Sequence, residues 1–401
     1  MPLLLNEAAE RGDAPGFHAL IIGISAYPHL SQPTPPEPPT LGLRQLSSPA
    51  ITAYRIANWL ITRRAYLPVP LTTCRVMLLP SAVELAAGGE PLAALRDECA
   101  RTQVLVEAAA WRADASRNAD SMTLFYFAGH GVQRNQRDHV MLLAGFGRGI
   151  GPLLEDAIDT TNLLAGMAPT TARPKMARTQ MYFIDACRVR PKVFARYEDS
   201  PSGKLWDVEV DIVDDRTAPL FHTAVPGAKA YAVKGKQTVF SQALLECLTG
   251  GAGREVEPRA DGTPPYGVTI NSLRESLPYH LDRINREHGT RARFEVQGGG
   301  YGGQRVIHWL DSPPLVDVTL ELHPSEAHHH AGVRVVALND NPDNRPSWDL
   351  APVIPHPYCG SLPMGIYLAS ARIEPPAPYV DNGLAFSAIP PNHRVRIPLL
   401  G

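Results

Sequence analysis

Short runs of consecutive apolar residues alternate with helix-period stretches over the first three quarters of the chain. Residues 19–24 (ALIIGI) are short, rich in isoleucine and followed by Ser25 and Pro28, the signature of a strand buried on both faces. Residues 75–79 (RVMLL), 122–128 (MTLFYFA), 181–184 (MYFI), 220–225 (LFHTAV) and 305–309 (RVIHW) read in the same way. Between them the period changes. Ser48-Pro49 supplies an N-cap and a first-turn proline, and Ile51, Tyr54, Ala57 and Leu60 then form one helical stripe. Leu92, Leu95, Cys99, Leu105 and Ala109 predict a helix ended before Asn118 and Asp120. Residues 239–248 predict another, and residues 272–287 a last one, kinked or broken at Pro278. Strand–helix alternation of this kind predicts an α/β fold with an open, mostly parallel six-stranded sheet and helices on both faces.

Beyond Pro313-Pro314 the pattern becomes alternating, as in Val316-Asp-Val-Thr-Leu-Glu-Leu322, with no helical stretch of any length. The expected organisation is an N-terminal extension (1–16), an α/β domain (17–312) and a small β-rich C-terminal domain (315–401).

Composition narrows the function classes. With 38 Lys+Arg against 40 Asp+Glu the net charge is −2, which offers no electrostatic footprint for nucleic acid or an anionic membrane. No apolar run reaches the roughly 18 residues of a spanning helix, and the first residues lack the basic region of a signal peptide. The 5 cysteines are odd in number and never spaced C-x-x-C, which argues against a disulfide framework or a zinc site and fits a reducing, cytoplasmic setting. Four other motifs carry no special chemistry. His328-His-His330 is too local to converge on one metal. The run of glycines at 298–303 lacks the Lys-Ser/Thr of a phosphate loop. Asp207, Asp211, Asp214 and Asp215 lack the EF-hand pattern. The proline-rich residues 33–39 read as an insertion beside the cleft.

Chemistry concentrates where two apolar strands end. One runs into Ala128-Gly-His130-Gly131, the other into Asp185-Ala-Cys187-Arg188. In open α/β sheets reactive groups lie beyond the carboxyl ends of the strands. Parallel neighbours would therefore carry His130 and Cys187 to one edge, where an imidazole can activate a thiol. Gly131 lets a substrate carbonyl approach a bare backbone N–H, which with the Cys187 N–H can form an oxyanion hole.

These stretches, HALIIGISAY, LFYFAGHGVQ, MYFIDACR and VFSQALLECL, resemble the caspase–metacaspase superfamily of cysteine endopeptidases in its bacterial branch, over about residues 17 to 310. The histidine precedes the cysteine by 57 residues, against about 50 in the caspase signature. The resemblance implies Cys187 as nucleophile, His130 as acid–base, Gly131 and Cys187 as oxyanion donors, and no metal or organic cofactor. Asp185 stands where caspases have the glutamine of Q-A-C, as in metacaspases, implying an S1 pocket for P1 arginine or lysine. Val189 replaces the glycine that follows Cys-Arg, and Pro49 stands where metacaspases bring a second aspartate.

About 30 residues without a core pattern, 188–219, follow the cysteine strand. Loops of that length are usually functional, and in caspase-like enzymes this segment is often cut during maturation. Arg188, Arg196, Lys204 and Arg216 are the expected processing positions. The partners expected are protein substrates and an upstream activating protease or regulator, in regulated proteolysis such as bacterial defence. The reading from another class is a catalytically silent caspase-like scaffold that acts through protein–protein interaction. A thiol redox switch lacks a resolving cysteine near Cys187.

Overall fold

The computed structural model describes residues 3–30, 42–133, 139–149, 151–190, 203–209, 211–224, 236–257, 265–298, 304–338, 347–350 and 356–399. In chain order the first elements are β1 (Leu3–Asn6), α1 (Ala8–Arg11), β2 (Phe17–Ile24), α2 (Pro49–Thr62), β3 (Leu71–Leu79), α3 (Ala82–Ala94) and α4 (Arg101–Ala115). Then come β4 (Met122–Gly129), β5 (Gly131–Gln133), β6 (His139–Leu142), β7 (Ala157–Asp159), α5 (Thr160–Gly166), β8 (Thr179–Ala186), β9 (Leu220–His222) and α6 (Val239–Glu246). They are followed by β10 (Gly253–Glu255), β11 (Tyr266–Thr269), α7 (Ile270–His288), β12 (Glu295–Gln297) and β13 (Val306–Trp309). The last are β14 (Leu315–His323), β15 (Ala331–Ala337), β16 (Ser347–Leu350), β17 (Tyr358–Pro363), β18 (Gly365–Ile373), β19 (Asn382–Ala388) and β20 (Asn392–Pro398).

The main sheet runs β1-β3-β2-β4-β8-β9-β12. Its five middle strands are parallel, and β1 and β12 close the two edges antiparallel. Every residue of β2, β3, β4 and β8 is buried. Their continuous apolar runs mean what they should in a sheet covered on both faces. Helix α2 packs on β2, β3 and β4, and α4 on β2 and β3. At Gly23 the backbone of α2 comes so near that a Cβ would lie 2.8 Å from the Pro49 carbonyl oxygen, so β2 needs a glycine there.

Five details differ from the sequence reading. The sheet has seven strands rather than six. Both extra edge strands, LLLN and EVQ, are too short to carry a period. The strand expected at 305–309 joins β10 and β11 in a separate antiparallel sheet. The helix expected through 92–109 is two helices. Between them Arg96 bridges Leu78 at the end of β3, and Cys99 takes φ 48°. In addition, α2 is not capped by the Ser48 side chain. Ala50 N–H donates to Ser25 Oγ (3.0 Å) and Ile51 N–H to the buried Glu84 carboxylate (3.1 Å), an anion at the positive end of the helix. Helix α7 runs through Pro278 without interruption.

The chain divides into two compact units, residues 1–245 with 281–303 and residues 246–280 with 304–401. The Pro313-Pro314 linker thus falls inside the second unit. That unit holds the β10-β11-β13 sheet together with two further sheets, β17-β14-β20 and β16-β15-β18-β19. Alternate residues of these two sheets, Val316, Val318, Leu320 and Leu322 on β14 and Val333, Val335 and Ala337 on β15 among them, fill one core. This is the β-rich character expected of the C-terminal region.

Candidate active site

The parallel ladder between β4 and β8 ends at the pair Gly129–Ala186. The next residue on each strand is His130 and Cys187, so both reactive side chains leave the same edge of the sheet from neighbouring strands. Cys187 is half-buried, and His130 is buried.

The histidine is held on several sides. Its backbone N–H donates to the Tyr27 hydroxyl (2.8 Å), which itself donates to the Leu142 carbonyl (3.1 Å), and the two rings lie 4.7 Å apart. Its Nε2 lies 2.6 Å from the carbonyl oxygen of Arg44. A carbonyl only accepts, so Nε2 carries the proton and Nδ1 of the neutral ring is left as an acceptor. Burial pushes the imidazole pKa down to about 4, although the Arg44 carbonyl pulls it up. At pH 7 the ring is therefore neutral.

Gly131 opens β5. The Leu142 N–H bond to the His130 carbonyl (2.9 Å) makes Gly131–Met141 a non-hydrogen-bonded pair of the β5–β6 ladder. The Gly131 N–H therefore leaves the opposite edge of β5, the edge from which Gln133 N–H reaches the Val189 carbonyl (3.0 Å). A Cβ on Gly131 would lie 2.6 Å from His139 Nε2 and 2.7 Å from the Cys187 carbonyl oxygen. Only glycine lets these three segments meet.

Beneath them is a buried polar group that the sequence reading assigned no role. His139 Nε2 donates to the Cys187 carbonyl (3.0 Å), and its ring meets that of His222 edge-on at 5.1 Å. Burial lowers the pKa of both, His139 to about 4 and His222 to about 2. Arg188, 1% exposed, pairs through Nη1 with Glu295 of β12 at 2.5 Å.

Asp185 is buried as well. The Tyr126 hydroxyl donates to its Oδ2 at 2.8 Å and the Thr238 hydroxyl bonds the same oxygen. Oδ1 has no hydrogen-bond partner among the described residues. Burial raises this carboxyl to about 6, against the pull of the Thr238, Tyr126 and Thr223 hydroxyls.

The expected processing positions fare differently. Buried and ion-paired, Arg188 cannot enter a protease cleft without local unfolding. Arg216 is also withdrawn: its side chain is 5% exposed and bonds Asp214, Gln180 and the Leu164 carbonyl. At Lys204 the backbone is docked. Its carbonyl accepts from Arg101 (2.8 Å), and the flanking Gly203 and Leu205 N–H groups donate to the Leu154 carbonyl and to Asn162 Oδ1. Arg196 lies outside the described residues, as do residues 33–39 and 299–303.

Asp211 accepts from the Thr171 N–H, Asp214 pairs with Arg216, and Asp215 pairs with Arg178 at 2.6 Å. Those carboxylates serve the surface of the first unit. Among the described residues no group of three or more His, Cys, Asp or Glu could hold a metal ion. His328, His329 and His330 lie on a 3-10 turn. No helix of the described residues is long and apolar enough to cross a membrane.

The site thus brings in four groups to which the sequence reading assigned no role. The Arg44 group is a backbone carbonyl, and Thr238 is a lone hydroxyl before α6. Tyr27 and His139 sit at the margins of apolar runs, where a polar residue whose neighbours are all buried is the one available hint.

A mostly parallel sheet whose adjacent strands end in a histidine and a cysteine has the fold of the caspase-like proteins. Comparison of sequences agrees: the Caspase domain family matches residues 17–262, and the chain belongs to that family. An uncharacterized protein of Sinorhizobium fredii, y4kE, is 26% identical over 219 residues. The match covers 54% of this chain and 59% of that protein, so the chain spans less than two thirds of its relative. Among solved structures, protein GSU0716 of Geobacter sulfurreducens aligns over 74% of this chain and 100% of its own, with 15% identity and a TM-score of 0.41. Caspase-1 of Spodoptera frugiperda aligns over 74% and 89%, with 11% identity and a TM-score of 0.40.

Proposed function

We propose that this protein is a cysteine endopeptidase that cleaves protein substrates with a Cys187–His130 dyad. The observation that carries the reading is the Gly129–Ala186 register, which delivers the two side chains to one edge from adjacent strands. The tautomer of His130 supports it, because a ring whose Nε2–H is committed to Arg44 keeps Nδ1 for the thiol proton.

The chemistry follows. His130 Nδ1 takes the Cys187 proton as Sγ attacks the scissile carbonyl carbon, and the C=O electron pair moves to oxygen. The N–H groups of Gly131 and Cys187 hold that oxyanion. Collapse breaks the C–N bond, and His130 returns its proton to the leaving amine. Water, deprotonated by the same ring, then attacks the thioester. The carboxylic acid leaves and Cys187 regains its proton.

Asp185 is the S1 determinant in this reading, with arginine or lysine as P1. Its support is the buried Oδ1, which receives neither the Tyr126 nor the Thr238 bond and is an acceptor that a basic side chain would satisfy and an acidic one would not. In this reading maturation is by cleavage at Arg196, which is favoured over Arg188 and Arg216, both buried, and Lys204, whose backbone is docked.

An arginine-type peptidyl chloromethyl ketone tests the activity. One equivalent should attach to Cys187 and none to Cys187→Ala or His130→Ala. A wild-type protein that stays unlabelled is a silent scaffold.

A further inference from the structure

We propose that Gln45 is a positioning residue for the histidine of the dyad: its side-chain amide clasps the backbone of Tyr27 and so fixes the Arg44 carbonyl against His130 Nε2. This deepens the dyad reading above and rests on it.

The bonds form a closed circuit. Gln45 Oε1 accepts from the Tyr27 N–H (2.6 Å) and Gln45 Nε2 donates to the Tyr27 carbonyl (2.5 Å). From Tyr27 the circuit continues through its hydroxyl to the His130 N–H (2.8 Å). It crosses the imidazole and returns from Nε2 to the Arg44 carbonyl (2.6 Å), the residue next to Gln45. One residue further on, Leu46 N–H donates to the Ser25 carbonyl (2.9 Å). The segment 44–46 therefore lies along 25–27, with the Gln45 amide making the two bonds that a paired strand residue would make from its backbone.

The amide is suited to this for a chemical reason. It offers one donor and one acceptor side by side, as a peptide group does. Glutamate keeps the acceptor but sets a second oxygen against the Tyr27 carbonyl. Alanine offers neither. Tyr27, buried beneath the clasp, already fixes the histidine backbone. What the backbone bond cannot fix is rotation of the ring. That depends on the Arg44 carbonyl: Arg44 and Gln45 are exposed, between Leu43 and Leu46, which are partly buried against the core. Without the clasp the carbonyl wanders, the ring turns, and Nδ1 no longer faces the nucleophile for a defined fraction of the time.

Gln45 is itself exposed, so its replacement leaves the core untouched and the test is clean. The full chain, labelled with 15N-histidine, is observed by proton NMR at neutral pH. The His130 Nε2–H, protected by its bond to Arg44, should give a downfield resonance that disappears in His130→Ala. Gln45→Ala and Gln45→Glu should each lose that resonance to solvent exchange. Peptide cleavage in the same variants should fall in kcat by about 10- to 100-fold, the usual scale for a misplaced reacting group, with KM within about twofold.

A resonance that keeps its position and width in both variants overturns the proposal, as does its absence from the wild type. So does a kcat within about twofold of wild type in Gln45→Ala. A wild-type protein that cleaves no peptide, yet shows a resonance dependent on Gln45, overturns the protease reading and leaves the clasp standing.

Discussion

His139 Nε2 lies 3.0 Å from the carbonyl oxygen of Cys187, and the same nitrogen stands where a Cβ on Gly131 would have to go. One buried imidazole thus braces both backbone segments that would supply the proposed oxyanion donors, Gly131 and Cys187. Removing it leaves the Cys187 carbonyl without its partner and opens space behind Gly131. For His139→Ala we expect a loss of stability of about 1–3 kcal/mol, the cost of an unsatisfied buried acceptor. The accompanying fall in kcat should be about 10- to 100-fold. Urea unfolding and steady-state kinetics check both. His139→Gln, which retains a donor, should recover part of each, and an unaltered His139→Ala protein would contradict the bracing role.

Acid should destabilise the fold well above the pH at which carboxylates usually protonate. Burial lowers His18, His130 and His139 to about 4 and His222 to about 2. Unfolded histidines titrate near 6.5. Between these values the unfolded chain binds protons that the native chain refuses, so stability falls as pH drops from about 6.5 towards 4. Asp185 acts in the opposite direction, since its native carboxyl, raised to about 6, takes up a proton first. Four imidazoles outweigh one carboxyl. Urea midpoints measured from pH 7 to pH 4.5 should decline steadily, and a flat profile would mean that these rings are solvated.

With Asp185 as the proposed S1 determinant, its raised carboxyl should make specificity pH-dependent. Above pH 6 it is charged and should favour P1 arginine over a neutral isostere; below pH 6 it is protonated and the preference should shrink. Asp185→Asn should erode the preference at every pH, by roughly two orders of magnitude in kcat/KM for a desolvated charge pair. Preference for P1 aspartate, or a ratio unaffected by pH and by the substitution, would remove Asp185 from the pocket.

Maturation, where it occurs, should cut within residues 191–203. N-terminal sequencing of fragments from wild type, with Cys187→Ala as the uncut control, should find no new terminus after Arg188 or Arg216. Both side chains are buried, at 1% and 5% exposure. Full activity from an intact chain would leave the segment as a wall of the cleft.

The sequence was informative where burial was complete. Strands β2, β4 and β8 are apolar on both faces and could be read almost to their ends, and with them the positions of His130 and Cys187. It was uninformative where a single contact overrides period. The apolar residues Leu92, Leu95 and Cys99 share a helical spacing, but residues 95–100 leave the helix because Arg96 bridges the end of β3. Arg188 and Arg216 look like solvent-facing basic residues in a polar loop. Each is buried by a carboxylate, Glu295 or Asp214, that no local pattern assigns to it. The Arg44 carbonyl could not be read at all, since every residue has one.

Hydrolysis by a Cys187–His130 pair is measured by profiling a peptide library with four proteins. Wild type should cleave after arginine or lysine. Cys187→Ala and His130→Ala should each abolish turnover, and the double variant should be no worse than either, because the two act as one unit. Substantial cleavage by either single variant would contradict the dyad, and a wild type that cleaves nothing would contradict the enzyme.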